Sequence, residues 1–203
     1  MGCKMDSDFK QHIMYMEIPI HFWEFSMSDT DEYTLEELHN NIENIIRDSG
    51  DVRKKETNVK AHMTKWNMLE HKEFAAISNK ATKTVEDWHS EYTDLQLKTF
   101  QTTCWGSIYN KGDYSERHAH VPALYSWVYY AKVDDNSAPI YFHNKPGMYY
   151  KPTSGTGIIF PGWLEHEVQS HEGDNERVIV VGNIEGTGSV TYPQREFLDV
   201  KDF

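Results

Sequence analysis

Residues 117 to 120, Arg-His-Ala-His, set two imidazoles at a spacing of two, just ahead of the apolar run "LYSWVYYAKV". With 11 His in 203 residues, random placement alone gives about 0.6 such pairs. The pair therefore carries weight only through its context. On an extended strand, positions i and i+2 share a face, so His118 and His120 can converge on one object. Holding a divalent metal in an open, catalytic geometry takes one more donor. The natural third is His166 in "FPGWLEHEVQ", which follows a Pro-Gly turn at the start of a later strand.

Arg177 comes eleven residues later, across the turn "HEGDNE". If that turn centres on Gly173-Asp174, Arg177 pairs with Ser170. Ser170 then lies on the His166 face, about 13 Å along the strand. A small dicarboxylate fits between a metal at one end and a guanidinium at the other, because arginine holds a carboxylate bidentately. The competing reading is a surface arginine that answers Glu176 or Asp174. The other histidines carry less. His12, His21, His39, His62, His71 and His89 lack partner spacing, and His143 and His171 sit near turns, where exposure is expected. No P-loop, dinucleotide fingerprint, serine elbow or Cys–His pair is present.

The elements that must position these residues change character near residue 98. Before it, "TLEELHNNIENIIRDSG" opens with Thr34 and Glu37 in capping-box spacing and stops at Gly50. Leu35, Leu38, Ile42 and Ile45 form one helical stripe. A second helix is expected over about 72 to 92, with Phe74, Ile77, Val85 and Trp88 on one face. After residue 98 the chain reads as short β runs, among them "TFQTTCWGSIY", "APIYFHN", "GTGIIFP" and "RVIVVGNI", cut by turns. That pattern predicts an α+β fold, a jelly roll with helices buttressing one sheet. A single domain is expected, with residues 1–98 as helical support, 99–185 as the jelly-roll core and 186–203 as a C-terminal tail.

Composition narrows the function classes. A net charge of −12, from 32 acidic and 20 basic residues, argues against bulk binding to nucleic acid. Two cysteines, Cys3 and Cys104, make neither a disulfide framework nor a four-ligand zinc site. "MGC" opens like a lipidation signal, but Asp6 stands where Ser or Thr is needed. With no apolar run of membrane-spanning length, a soluble cytoplasmic protein is expected.

Taken together, His118-x-His120, Ser126 with "VYY", Phe160-Pro161, His166, Arg177, Asn183 and the upstream "ETNVKAHMTKWNML" resemble the 2-oxoglutarate/Fe(II) oxygenases of tailed phages and bacteria. The likeness covers roughly residues 14 to 185, and that family is similar to prolyl hydroxylases. It implies a double-stranded β-helix that holds Fe(II) through His118, His120 and His166, with 2-oxoglutarate and O2 as cosubstrates. It also implies that Arg177 clamps the far carboxylate, with Tyr130, Tyr109 and Asn183 at the cosubstrate. The reaction implied is hydroxylation of a protein side chain, nucleobase or metabolite, with release of succinate and CO2.

This chain departs from the wider pattern at three positions. His120 stands where most relatives carry Asp or Glu, so either Asp113 or Glu116 supplies a carboxylate or the centre is three-His. Ile179 replaces a serine two after the arginine, and Trp127 replaces a glycine and is expected to narrow the pocket. Two other functions stay open: a three-His dioxygenase that does not use 2-oxoglutarate, and a non-catalytic jelly-roll binding module.

Overall fold

The first helix begins where its sequence says it should. In the computed structural model, Thr34 Oγ1 accepts from the Glu37 backbone N–H, and the Glu37 carboxylate accepts from the Thr34 N–H. Both satisfy donors that a helix start leaves open. Helix α1 runs Leu35–Asp48 and α2 runs Lys72–Tyr92, as the periodicity predicts. Leu38, Ile42 and Ile46 of α1 and Phe74, Ile77, Ala81 and Val85 of α2 are buried in one cluster. The structure describes residues 18–26, 32–51, 57–92, 98–143 and 147–187. The "MGC" start with Cys3, His12, and residues 188–203 of the expected tail lie outside these.

Two antiparallel sheets face each other. The larger is built from β1 (His21–Glu24), β3 (His62–Met63), β4 (Lys98–Tyr109), β6 (Tyr125–Lys132), β9 (Thr156–Pro161) and β11 (Arg177–Thr187). Its strand order is β1-β9-β6-β11-β4-β3. The smaller has the order β2-β5-β10-β7-β8, from β2 (Val59–Lys60), β5 (Tyr114–His118), β7 (Ile140–Phe142), β8 (Met148–Tyr150) and β10 (His166–Val168). This is the expected jelly roll. The helical support region does more than buttress, because β1, β2 and β3 come from it and close edges of both sheets. Strands of two to four residues carry too little alternation to be read from sequence.

Strand β6 shows why the layers separate. Tyr125, Trp127, Tyr129 and Ala131 pack toward the helices, while Val128 and Tyr130 pack between the sheets. A strand covered on both faces reads as one continuous apolar run. The helices sit close because Gly106 of β4 has no side chain. A Cβ there would lie 2.4 Å from Ile46 Cγ1 and 3.1 Å from Phe74 Cζ.

One expectation about register is overturned. Arg177 does not pair with Ser170; it pairs with Tyr109 of β4, in the sheet opposite β10. The "HEGDNE" segment is thus a crossover between sheets and not a hairpin. His171 is fully buried, not exposed: its Nε2 lies 2.8 Å from the Asn175 carbonyl oxygen, which fastens that crossover. No helix among the described residues is long and apolar enough to cross a membrane.

Candidate metal centre and cosubstrate pocket

His118 is the last residue of β5, and His166 is the first of β10, directly opposite it in the ladder. His120 lies past the strand end, where the turn begins, so a shared strand face is not what sets it beside His118. Backbone bonds place it instead. The His120 N–H donates to the Gly162 carbonyl at 2.7 Å, and its own carbonyl accepts from the Ala123 N–H at 2.9 Å. The ring centroids of the three histidines lie 4.4, 4.9 and 5.1 Å apart pairwise. One potential ligand atom from each falls within 4.8 Å of the others.

The ring orientations suit metal binding. His118 Nδ1 is 2.6 Å from the Glu116 carbonyl oxygen, and His166 Nδ1 is 2.9 Å from that of Leu164. A carbonyl only accepts, so each Nδ1 carries the proton and each Nε2 keeps its lone pair. Burial pushes the His118 pKa down, pushes that of His120 down to about 3, and holds that of His166 well below its usual range. Proximity to His118 deepens the depression at His120, and both neighbours deepen it at His166. Three neutral imidazoles facing one point are a donor set for a cation.

Neither proposed carboxylate joins them. Asp113 Oδ2 accepts from the Asn110 N–H at 2.8 Å, and Glu116 points to Lys60 at 3.5 Å. Among the described residues the cluster is three-His.

Alternating residues of β4 and β11 line the cavity behind the triad: Trp105, Ser107 and Tyr109 on one strand, Arg177, Ile179 and Val181 on the other. Arg177 is 1% exposed, which overturns the surface-arginine reading. Glu176 pairs with Arg47 and Asp174 with Lys111. The guanidinium carbon sits 4.8 Å from the Tyr109 ring centroid and 5.3 Å from that of Tyr130, a cation–π sandwich. Among the described residues its Nε and Nη1 have no hydrogen-bond partner, nor has the Tyr130 hydroxyl. Among the described residues no Asp or Glu lines the cavity. Burial raises the pKa of both Tyr109 and Tyr130, so each stays protonated and able to donate.

The remaining expected residues fall elsewhere. Asn183 is not on the cavity wall; its Oδ1 accepts from Ser126 at 2.8 Å and its Nδ2 donates to Thr103 at 3.0 Å. Trp127 does not narrow the pocket. It points to the helix side, over Gly182, where an added Cβ would meet its ring at 2.4 Å. Ile179 does face the cavity. Of the aromatics near the site, Trp105 walls it, with its ring centroid 5.8 Å from that of His120. Ser107 escaped the sequence reading, although alternation with Trp105 and Tyr109 already placed it on their face.

Residues 141–183 match the family model described as "Putative 2OG-Fe(II) oxygenase", a stretch that holds His166 and Arg177. The fold, the family match and the triad together support a 2-oxoglutarate- and Fe(II)-dependent dioxygenase. No curated protein matches the chain in sequence.

Solved structures similar to this chain include the viral collagen prolyl hydroxylase of Paramecium Bursaria Chlorella virus-1, in its 2OG complex. The likeness has a TM-score of 0.59 at 17% identity, over 81% of this chain and 94% of that one. A Pseudomonas putida prolyl-4-hydroxylase gives 0.57 at 14% identity, over 82% and 91%. The non-heme alpha ketoglutarate dependent epimerase SnoN from nogalamycin biosynthesis gives 0.61 at 7% identity, over 81% and 76%. Likeness at such identities establishes the shared fold.

Proposed function

We propose that His118, His120 and His166 hold Fe(II), and that Arg177 receives the far carboxylate of 2-oxoglutarate, for hydroxylation of an unactivated C–H bond. The observation that carries this reading is the buried guanidinium. A charge removed from water costs several kcal/mol unless it is paired, yet among the described residues Arg177 Nε and Nη1 are unpartnered and no carboxylate lines the cavity. The missing acceptor is supplied by a ligand. Tyr130, whose hydroxyl is likewise unpartnered, is the second donor to the same carboxylate.

Charge balance favours a dianion. With three neutral ligands, Fe(II) keeps its full double charge, whereas a carboxylate ligand would leave one. Adding Arg177, the pocket presents three positive charges to a molecule that bears two negative ones. The Nδ1 bonds to backbone carbonyls fix the ring planes of His118 and His166, and the apolar Ile179 and Val181 keep water from the path between metal and guanidinium. Bound Fe(II) and 2-oxoglutarate supply O2 activation, with decarboxylation to succinate and CO2. Incubation in air with Fe(II) and 2-oxoglutarate should release succinate from wild-type protein and not from His166→Ala. Equal succinate from both would refute the reading.

The three-His donor set favours a second reading, in which Arg177 clamps the carboxylate of another substrate and 2-oxoglutarate is not used. Succinate release separates the two.

A further inference from the structure

Four buried side-chain nitrogen and oxygen atoms without a hydrogen-bond partner among the described residues come from neighbouring positions of β4, β6 and β11. They are Arg177 Nε, Arg177 Nη1, Tyr130 Oη and Ser107 Oγ. The first three are accounted for by a bound carboxylate. Ser107 is not. It is fully buried, and it faces the cavity from β4. The β4–β11 register sets it directly opposite Ile179, while Tyr130 faces Ile179 from the β6 side. The two orphaned hydroxyls therefore flank Ile179 in one row, and Arg177 and Tyr109 form the next row of the same face.

Ile179 offers no polar atom, so whatever hydroxyl this row presents to a ligand must come from its neighbours. We infer that Ser107 is a further cosubstrate-binding residue, its hydroxyl donating to the carboxylate of 2-oxoglutarate that lies farthest from the metal. This assignment rests on the reading of Arg177 given above. The donor set is then complete and of one kind: two guanidinium N–H groups and two hydroxyls, all suited to an acceptor-only anion. A strand serine buried for packing alone finds a partner within the protein, as the fully buried Ser126 donates to Asn183 Oδ1. Ser107 makes no such bond, so its desolvation is left uncompensated until the anion arrives.

The test measures 2-oxoglutarate binding to Mn(II)-loaded protein by calorimetry, with 2-oxobutyrate as a probe that lacks the far carboxylate. Ser107→Ala should weaken 2-oxoglutarate about tenfold and leave 2-oxobutyrate unchanged. Placing the hydroxyl on the facing strand, in the double variant Ser107→Ala/Ile179→Ser, should restore most of the loss. Thermal melting of metal-free protein gives an independent sign. Removing a buried, unpartnered hydroxyl should leave the melting temperature of Ser107→Ala equal to or above that of wild type, whereas a purely structural serine would lower it. Unchanged 2-oxoglutarate affinity in Ser107→Ala, or an equal loss for both ligands, overturns the inference. If wild-type protein itself fails to bind 2-oxoglutarate, the reading of Arg177 falls with it.

Discussion

His166 lies directly opposite His118 across the β5–β10 ladder, and their ring centroids are 4.4 Å apart. The pairing brings together residues 48 positions apart in sequence and makes the metal site a property of strand register. A one-residue slip would turn one of the rings to the other face.

His166→Ala removes the member of the triad that the fold buries most deeply. Mn(II) affinity, read by the loss of the free-ion resonance spectrum, should fall at least about 100-fold, since two imidazoles with no carboxylate hold a divalent ion poorly. The far-ultraviolet dichroism should not change, because the two sheets do not depend on this ring.

Arg177→Met keeps the stem and deletes the charge. Cosubstrate affinity should drop by about 100-fold or more, while Mn(II) binding in the absence of 2-oxoglutarate persists. The metal-free melting temperature should not fall, because an unpaired buried charge is lost along with its cation–π contacts. A marked fall would mean that the guanidinium already has a partner within the protein.

Trp127→Leu tests which side of the sheet that ring occupies. Shrinking a fully buried aromatic over Gly182 should cost about 2–4 kcal/mol by chemical denaturation. The dissociation constant for 2-oxoglutarate should stay within about twofold of wild type, since the ring belongs to the helix-side core.

His39, buried 2.7 Å from the Tyr129 hydroxyl, has its pKa lowered to about 4, first by burial and then by the Lys132 charge. Because the folded value lies below the usual 6.5, the unfolded chain binds the extra proton between these two values. Stability is therefore whole above about pH 6.5 and declines as pH falls toward 4, by up to about 1.4 kcal/mol per unit. In His39→Gln that component vanishes, so the gap in melting temperature between wild type and variant should narrow from pH 7.5 to pH 4.5.

The sequence makes some of this site legible and hides the rest for definable reasons. Helix α1 announces itself through the Thr34–Glu37 box, and β6 through an apolar run that needs cover on both faces. His118, His120, His166 and Arg177 stand out by residue type, and the structure gathers all four around one cavity. Their register does not show in the text. Whether residues 171–176 form a hairpin or a crossover depends on which sheet receives β11, a long-range choice that local turn residues do not encode. The same choice decides the side that Trp127 faces. Alternation with Trp105 and Tyr109 puts Ser107 on their face, but nothing in the sequence separates it from an ordinary strand serine; its missing hydrogen bond does.

The most direct test of three imidazoles at one end of the pocket and a guanidinium at the other is an anaerobic titration of the Fe(II)-loaded protein with 2-oxoglutarate. Its readout is the weak visible charge-transfer absorption of the chelate. The account expects a band that saturates at one equivalent and is lost in His166→Ala. One bound Fe(II) with no band at any concentration of 2-oxoglutarate would contradict it.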